Sequence, residues 1–152
     1  MVGANGNVEL TFSHRYSFEA GLWDAGAVFV SINGALFAQL GDSAFSQNGY
    51  TGFGLIGNHD LNGGEGFNGD SSGYLSGDFI TSIALLGNLN AGDTIALQFL
   101  GAWDEFAKGS EPNWQIDWVQ VTDAAAVPEP GILALFVFGL AGIGVARRKK
   151  QA

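Results

Sequence analysis

Hydrophobic and polar positions alternate without a break near the start of the chain. Val8, Leu10, Phe12, His14, Tyr16 and Phe18 fall on one face, with Glu9, Thr11, Ser13, Arg15, Ser17 and Glu19 on the other. A period of two held this long predicts one half-buried strand. Ala27 to Ile32 and Ala35 to Leu40 flank Asn33-Gly34, a dipeptide that supplies the two positive φ angles of a tight hairpin turn. Further strands are expected at Phe79 to Leu86, Thr94 to Leu100 and Trp114 to Val121, the first two separated by a turn at Asn90-Ala91-Gly92-Asp93. No sustained helical period interrupts them. Roughly six to eight short strands joined by turn signals predict an all-β fold, an antiparallel β-sandwich. Between Gly41 and Asp78 lies a stretch with eleven glycines, too long for a hairpin loop and expected to hold weak strands and surface loops.

The pattern changes near the end. Gly131 to Ala146 runs sixteen residues without a charge and is followed at once by Arg147, Arg148, Lys149 and Lys150. Sixteen helical residues rise about 24 Å, a little under the roughly 30 Å hydrocarbon core, and long Arg and Lys stems can snorkel across the shortfall. The expected organisation is a β-sandwich module over 1–123, a linker over 124–130, a single C-terminal transmembrane helix over 131–146 and a basic cytoplasmic tail over 147–152. Cations flanking a short span stay in the cytoplasm, which places the body on the other side. Met1 to Leu10 shows neither the basic nor the apolar region of a signal peptide, so the natural chain is also expected to start further upstream.

Charge divides the chain at the same place. Six basic residues face fifteen acidic ones for a net charge of -9, yet up to Ala126 only Arg15 and Lys108 stand against every carboxylate except Glu129. So acidic a body repels phosphates, which argues against nucleic acid and leaves divalent cations and neutral polymers such as extracellular polysaccharide as partners. Cysteine is absent, which excludes a disulfide framework, a thiol nucleophile and a Cys-ligated zinc. Neither H-E-x-x-H nor G-x-S-x-G occurs, and a non-enzymatic role is expected. Asp104 and Glu105, as neighbours on an extended chain, would point to opposite sides and cannot flank one glycosidic bond. Gly52 to Gly57 matches G-x-G-x-x-G without the strand and helix that would frame it. His14, on the apolar face of its strand, is expected to be a satisfied core residue.

Val127-Pro128-Glu129-Pro130, the apolar stretch and the Arg147 to Lys150 cluster follow one another within 26 residues and together closely resemble the PEP-CTERM sorting signal of Gram-negative bacteria. Its two prolines keep the junction extended and accessible. The resemblance implies that an exosortase recognises the Pro-Glu-Pro neighbourhood and processes the protein during export. The inner membrane would hold the chain transiently, and the mature form would sit at the cell surface or outside the cell. A second resemblance covers most of the body. Phe12 to Gly34, Asn48 to Gly52, Gly66 to Tyr74 and Trp114 to Val121 are similar in order and spacing to jelly-roll modules related to MAM and immune-inhibitor-A-type domains of secreted bacterial peptidases and surface proteins. It implies a jelly-roll-like sandwich. Two roles follow as expectations: an adhesive, structural or glycan-binding envelope or matrix protein, or a carbohydrate-binding accessory module of a secreted peptidase or hydrolase whose N-terminal part is missing.

Asp117 alternates in register with Val119 and Val121 and is expected to point toward the interior, where a carboxylate must be paired, protonated or metal-bound. In jelly-roll modules generally a structural calcium often links an early segment to the last strand, and Glu19 and Asp24 would supply the early ligands for Asp117. The alternative is that Asp117 is exposed after a bulge. Trp114, Ile116 and Trp118 alternate on the side opposite Asp117, so the apolar and acidic assignments of this strand conflict. Among the four tryptophans, Trp103 and Trp114 are candidate sugar-stacking platforms, against the alternative that they belong to the core.

Overall fold

The computed structural model describes residues 1–104 and 107–123. The long alternation becomes strand β1 (Gly6–Tyr16), whose apolar side chains Val8, Leu10, Phe12 and Tyr16 are buried. After it come β2 (Ala25–Ile32), β3 (Ala38–Gln39), β4 (Phe45–Gln47), β5 (Gly52–Phe53), β6 (Glu65–Gly66), β7 (Ile80–Leu89), β8 (Ile95–Ala102) and β9 (Trp114–Asp123). Two single-turn 3-10 helices, Asp42–Ala44 and Tyr74–Ser76, are the helical elements among the described residues. The described residues are all-β with antiparallel sheets, as their alternation predicts. The expected transmembrane helix lies outside the described residues.

A four-stranded sheet has the order β4-β7-β1-β9, a three-stranded one β3-β2-β8, and β5 pairs with β6 alone. The two larger sheets share one core, in which Phe12 of β1 meets Phe99 of β8 edge-on at 5.3 Å. The Asn33-Gly34 turn forms with φ of 54° and 74°, but only Ala38–Gln39 pair back onto β2, because Leu36 and Phe37 swing out to solvent. The turn at residues 90–93 closes with a hydrogen bond from Asp93 N to Asn90 O at 3.0 Å.

The glycine-rich stretch does more than loop over the surface. It delivers Phe67 to the middle of the core, fully buried, with ring centroids 4.7 Å from His14, 4.8 Å from Tyr50, 5.2 Å from Tyr16 and 5.9 Å from Trp114. Phe67 is fixed by reciprocal backbone bonds with Gly26, of 2.7 and 3.0 Å. Gly26 has to be glycine, since a Cβ there would stand 2.7 Å from the Trp114 ring and 2.9 Å from Phe18.

Strand β9 resolves the conflict in its own sequence. Trp114 and Ile116 pair with Tyr16 and His14, while Trp118, Val119 and Val121 pair with Ser13, Phe12 and Leu10. The register shifts between Ser13 and His14, so Asp117 is the extra residue of a β-bulge. The bulge resets the alternation, and Val119 and Val121 share the face of Phe12 and Leu10. Asp117 is exposed, contrary to the inward orientation its spacing suggested, because spacing counts residues and a bulge adds one.

Candidate functional site

Between β1 and β2 the chain turns through residues 17–24, and the glycine-rich stretch holds this loop by its carbonyls. Asn68 Nδ2 donates to Glu19 O and to Asp24 O, each at 2.7 Å. The amide of Ile56 donates to Leu22 O at 3.0 Å, and His59 bonds Trp23 O through Nε2 at 2.7 Å. Because the Leu61 amide donates to Nδ1 of His59 at 3.1 Å, the proton of the neutral ring must sit on Nε2. Gly57 fits against Trp23 O so closely that a Cβ would come within 2.0 Å of it. Leu22 is driven to a φ of 74°, unusual for a branched side chain and imposed by these contacts.

On the facing strand the dipeptide repeats. Ala25 pairs with Ala102, so Trp23-Asp24 and Trp103-Asp104 leave the same end of the β2–β8 ladder. The Asp104 amide donates to Asp24 Oδ1 at 2.9 Å. Asp24 is fully buried, and its second oxygen, Oδ2, has no hydrogen-bond partner. Carboxylate oxygens of Glu19, Asp24 and Asp104 lie within 4.8 Å of one another. The pKa of Glu19 lies above the ordinary carboxylate value, first through desolvation and then through the negative charges of Asp104 and Asp24. An orphaned oxygen on a buried acid, beside two further carboxylates, suits a hard cation.

The expected ligands therefore come together only in part. Glu19 and Asp24 adjoin, but the third carboxylate beside them is Asp104, whereas Asp117 stands exposed on β9. The repeated Trp-Asp dipeptide was the sequence signal for Asp104. The tryptophans divide as well. Trp114 packs into the core, 5.9 Å from Phe18 and 5.8 Å from Phe99, and its indole N–H donates to His14 Nδ1 at 3.1 Å. Trp103 is 38% exposed and Trp23, not singled out for stacking from sequence, 42%. An open cleft of about 370 Å³ lies beside Glu19, lined also by Phe18, Ala20, Asp70, Lys108 and Ser110. The motif at Gly52 to Gly57 forms β5 and a turn, with no helix after it.

The trio lies at the end of the body where β9 begins, at Trp114. From there β9 runs ten residues to Asp123 opposite Val8, beside eight steps of β1 from Tyr16 to Val8 that rise roughly 27 Å at about 3.4 Å per residue. The chain then continues toward its C-terminal segment. Residues 126–150 carry a PEP-CTERM protein-sorting motif. Neither a curated protein nor a solved structure matches the chain. The PEP-CTERM motif is recognised by exosortase and implies an exported, exosortase-processed protein of the Gram-negative cell envelope. Val127, Pro128, Glu129, Pro130 and the basic Arg147, Arg148, Lys149 and Lys150 lie outside the described residues. The motif begins three residues beyond the end of β9.

Proposed function

We propose that the chain is a non-enzymatic envelope or extracellular-matrix protein, a jelly-roll-like β-sandwich with an adhesive, structural or glycan-binding role. The observation that carries this reading is the placement of the PEP-CTERM motif, at residues 126–150, directly after the last strand of the body. In this reading a single membrane span holds the chain only until the enzyme acts, and the body is then released or transferred with its last strand intact. Mass spectrometry of surface-exposed protein from a host with a working exosortase tests it. The expected C-terminus falls at the Pro128-Glu129-Pro130 junction. Recovery of an intact peptide over 131–152 from the mature protein would overturn the reading.

Glu19, Asp24 and Asp104 are proposed to hold a structural calcium ion. Calcium accepts six to eight hard oxygen ligands in flexible geometry, and extracellular modules bind it at about 10⁻⁴ to 10⁻³ M. Three carboxylates from two chain segments would supply charge, and the ion would pin the β1–β2 loop to the end of β8. Support comes from Asp24 Oδ2, buried without a partner.

A further inference from the structure

The two Trp-Asp dipeptides do more than supply carboxylates. Each carries a half-exposed indole one residue before a member of the trio, and each indole lies against a glycine. A Cβ on Gly101 would come within 2.4 Å of the Trp103 ring, and one on Gly21 within 3.3 Å of the Trp23 ring. Trp103 is also braced by Phe18, with ring centroids 6.0 Å apart. The glycines let the rings settle close to the backbone on one side, while 38% of Trp103 and 42% of Trp23 remain open to solvent. A braced, half-exposed ring loses little freedom when a flat apolar partner stacks on it. The cleft beside Glu19 is lined by Phe18 and Ala20 together with the polar Glu19, Asp70, Lys108 and Ser110, a mixed wall that can meet both the C–H faces and the hydroxyls of a sugar.

We propose that Trp23 and Trp103, with a calcium ion held by Glu19, Asp24 and Asp104, form a binding site for a neutral polysaccharide. The C–H face of a sugar ring stacks on an indole, and a pair of vicinal hydroxyls coordinates the cation, which still has ligand positions to fill after three carboxylates. The cation offsets the acidic surroundings at the point of contact. A polyanion would meet the remaining carboxylates of a body in which only Arg15 and Lys108 are basic, so a neutral chain is the better fit. The site lies at the end of the body away from Asp123, the last described residue. This inference rests on the calcium reading above, and the test separates the two.

The full chain, purified in mild detergent, is run in native gels containing galactomannan or hydroxyethylcellulose, with calcium or with EDTA. Calcium binding alone is measured by titration calorimetry on the same samples. The expected result is retardation by galactomannan in calcium, lost in EDTA, and reduced at least tenfold in affinity by Trp23→Ala and Trp103→Ala. Both variants should bind calcium as the parent does, which also shows that they fold. Gly101→Ala, which displaces the Trp103 ring, should weaken retardation in the same way. Absence of retardation by either polymer, or retardation unchanged by EDTA or by both tryptophan variants, would overturn the inference while leaving calcium binding intact. Absence of a calcium signal in the parent chain would overturn the calcium reading itself.

Discussion

The indole N–H of Trp114 donates to Nδ1 of His14 at 3.1 Å, and this bond fixes the state of a fully buried imidazole. The Ser82 hydroxyl gives its proton to Asn48 O at 2.6 Å, so at its 2.8 Å contact with His14 it must accept from Nε2–H. Both ring nitrogens of neutral His14 are thereby used. A second proton would have to enter at Nδ1, where a donor already points.

Burial lowers the His14 pKa from 6.5 to about 3. A histidine whose folded pKa is depressed contributes stability that is whole above its unfolded pKa and is lost as pH falls toward the folded one. Between pH 6.5 and 5 the unfolded chain takes up a proton that the folded chain refuses, which costs up to about 1.4 kcal/mol per pH unit. Urea unfolding at pH 7, 6 and 5 should show the midpoint falling across this window. His14→Gln, which keeps a donor and an acceptor but cannot titrate, should flatten that slope. An equal slope in both proteins would show that His14 is not its source.

The strands were legible because burial on one face imposes a period of two, and β1, β7, β8 and β9 lie where alternation places them. The bulge at Asp117 was not legible. It depends on the pairing of β9 with β1, and one added residue reverses the orientation assigned to everything before it. Phe67 was hidden for a related reason, since a lone aromatic in a run of glycines carries no period. The acidic site was half visible. Glu19 and Asp24 are close in sequence, but Asp104 joins them only because β2 and β8 end together at Ala25 and Ala102.

Calcium should raise the melting temperature and EDTA should lower it. A ligand at about a hundred times its dissociation constant adds roughly 2.7 kcal/mol. Asp104→Asn should abolish the calcium response, whereas Asp117→Asn, altering an exposed bulge residue, should leave it unchanged. Loss of the response in Asp117→Asn but not in Asp104→Asn would restore the ligand set expected from sequence. No shift on adding EDTA to a calcium-loaded sample would remove the metal altogether.

The raised pKa of Glu19 gives the metal-free protein the opposite pH trend to that of His14. A carboxyl that is harder to ionise when folded weakens the fold as pH rises through its titration, and protonation on the way down relieves the repulsion from Asp104 and Asp24. A cation competes with that proton. Calcium affinity measured by calorimetry should therefore fall as pH is lowered through the Glu19 titration, and Glu19→Gln should bind more weakly but lose much of this dependence. An affinity independent of pH from 7 to 4 would place Glu19 outside the site.

Gly57 tests whether the glycine-rich stretch positions the acidic loop. A Cβ there would collide with Trp23 O at 2.0 Å and with His59 Nε2 at 2.4 Å, at the point where the two are hydrogen-bonded. Gly57→Ala should cost about 1 to 3 kcal/mol of stability, as overpacking does, and should weaken calcium binding by moving Asp24. Gly34→Ala is the comparison: nothing lies within 4 Å of its Cβ, so strain from a φ of 74° should lower stability without touching calcium affinity. Equal calcium affinity in Gly57→Ala and the parent chain would mean that the loop holds its shape unaided.

Processing and membrane insertion should separate by mutation, because they draw on different residues of the C-terminal segment. In the proposed reading, insertion would depend on the apolar stretch over 131–146, and its orientation on the four cations that end it. In the same reading, access for an enzyme in that membrane would depend on the junction that carries Pro128 and Pro130, residue types that disfavour helix and sheet. Replacing Pro128, Glu129 and Pro130 with alanines should leave the protein in the membrane fraction at full length. Replacing Arg147, Arg148, Lys149 and Lys150 with serines should instead reduce retention and scramble orientation, seen as partial protection of the body from external protease. If the alanine variant matures at the parental rate in an exosortase-positive host, the Pro-Glu-Pro residues are not what the enzyme requires.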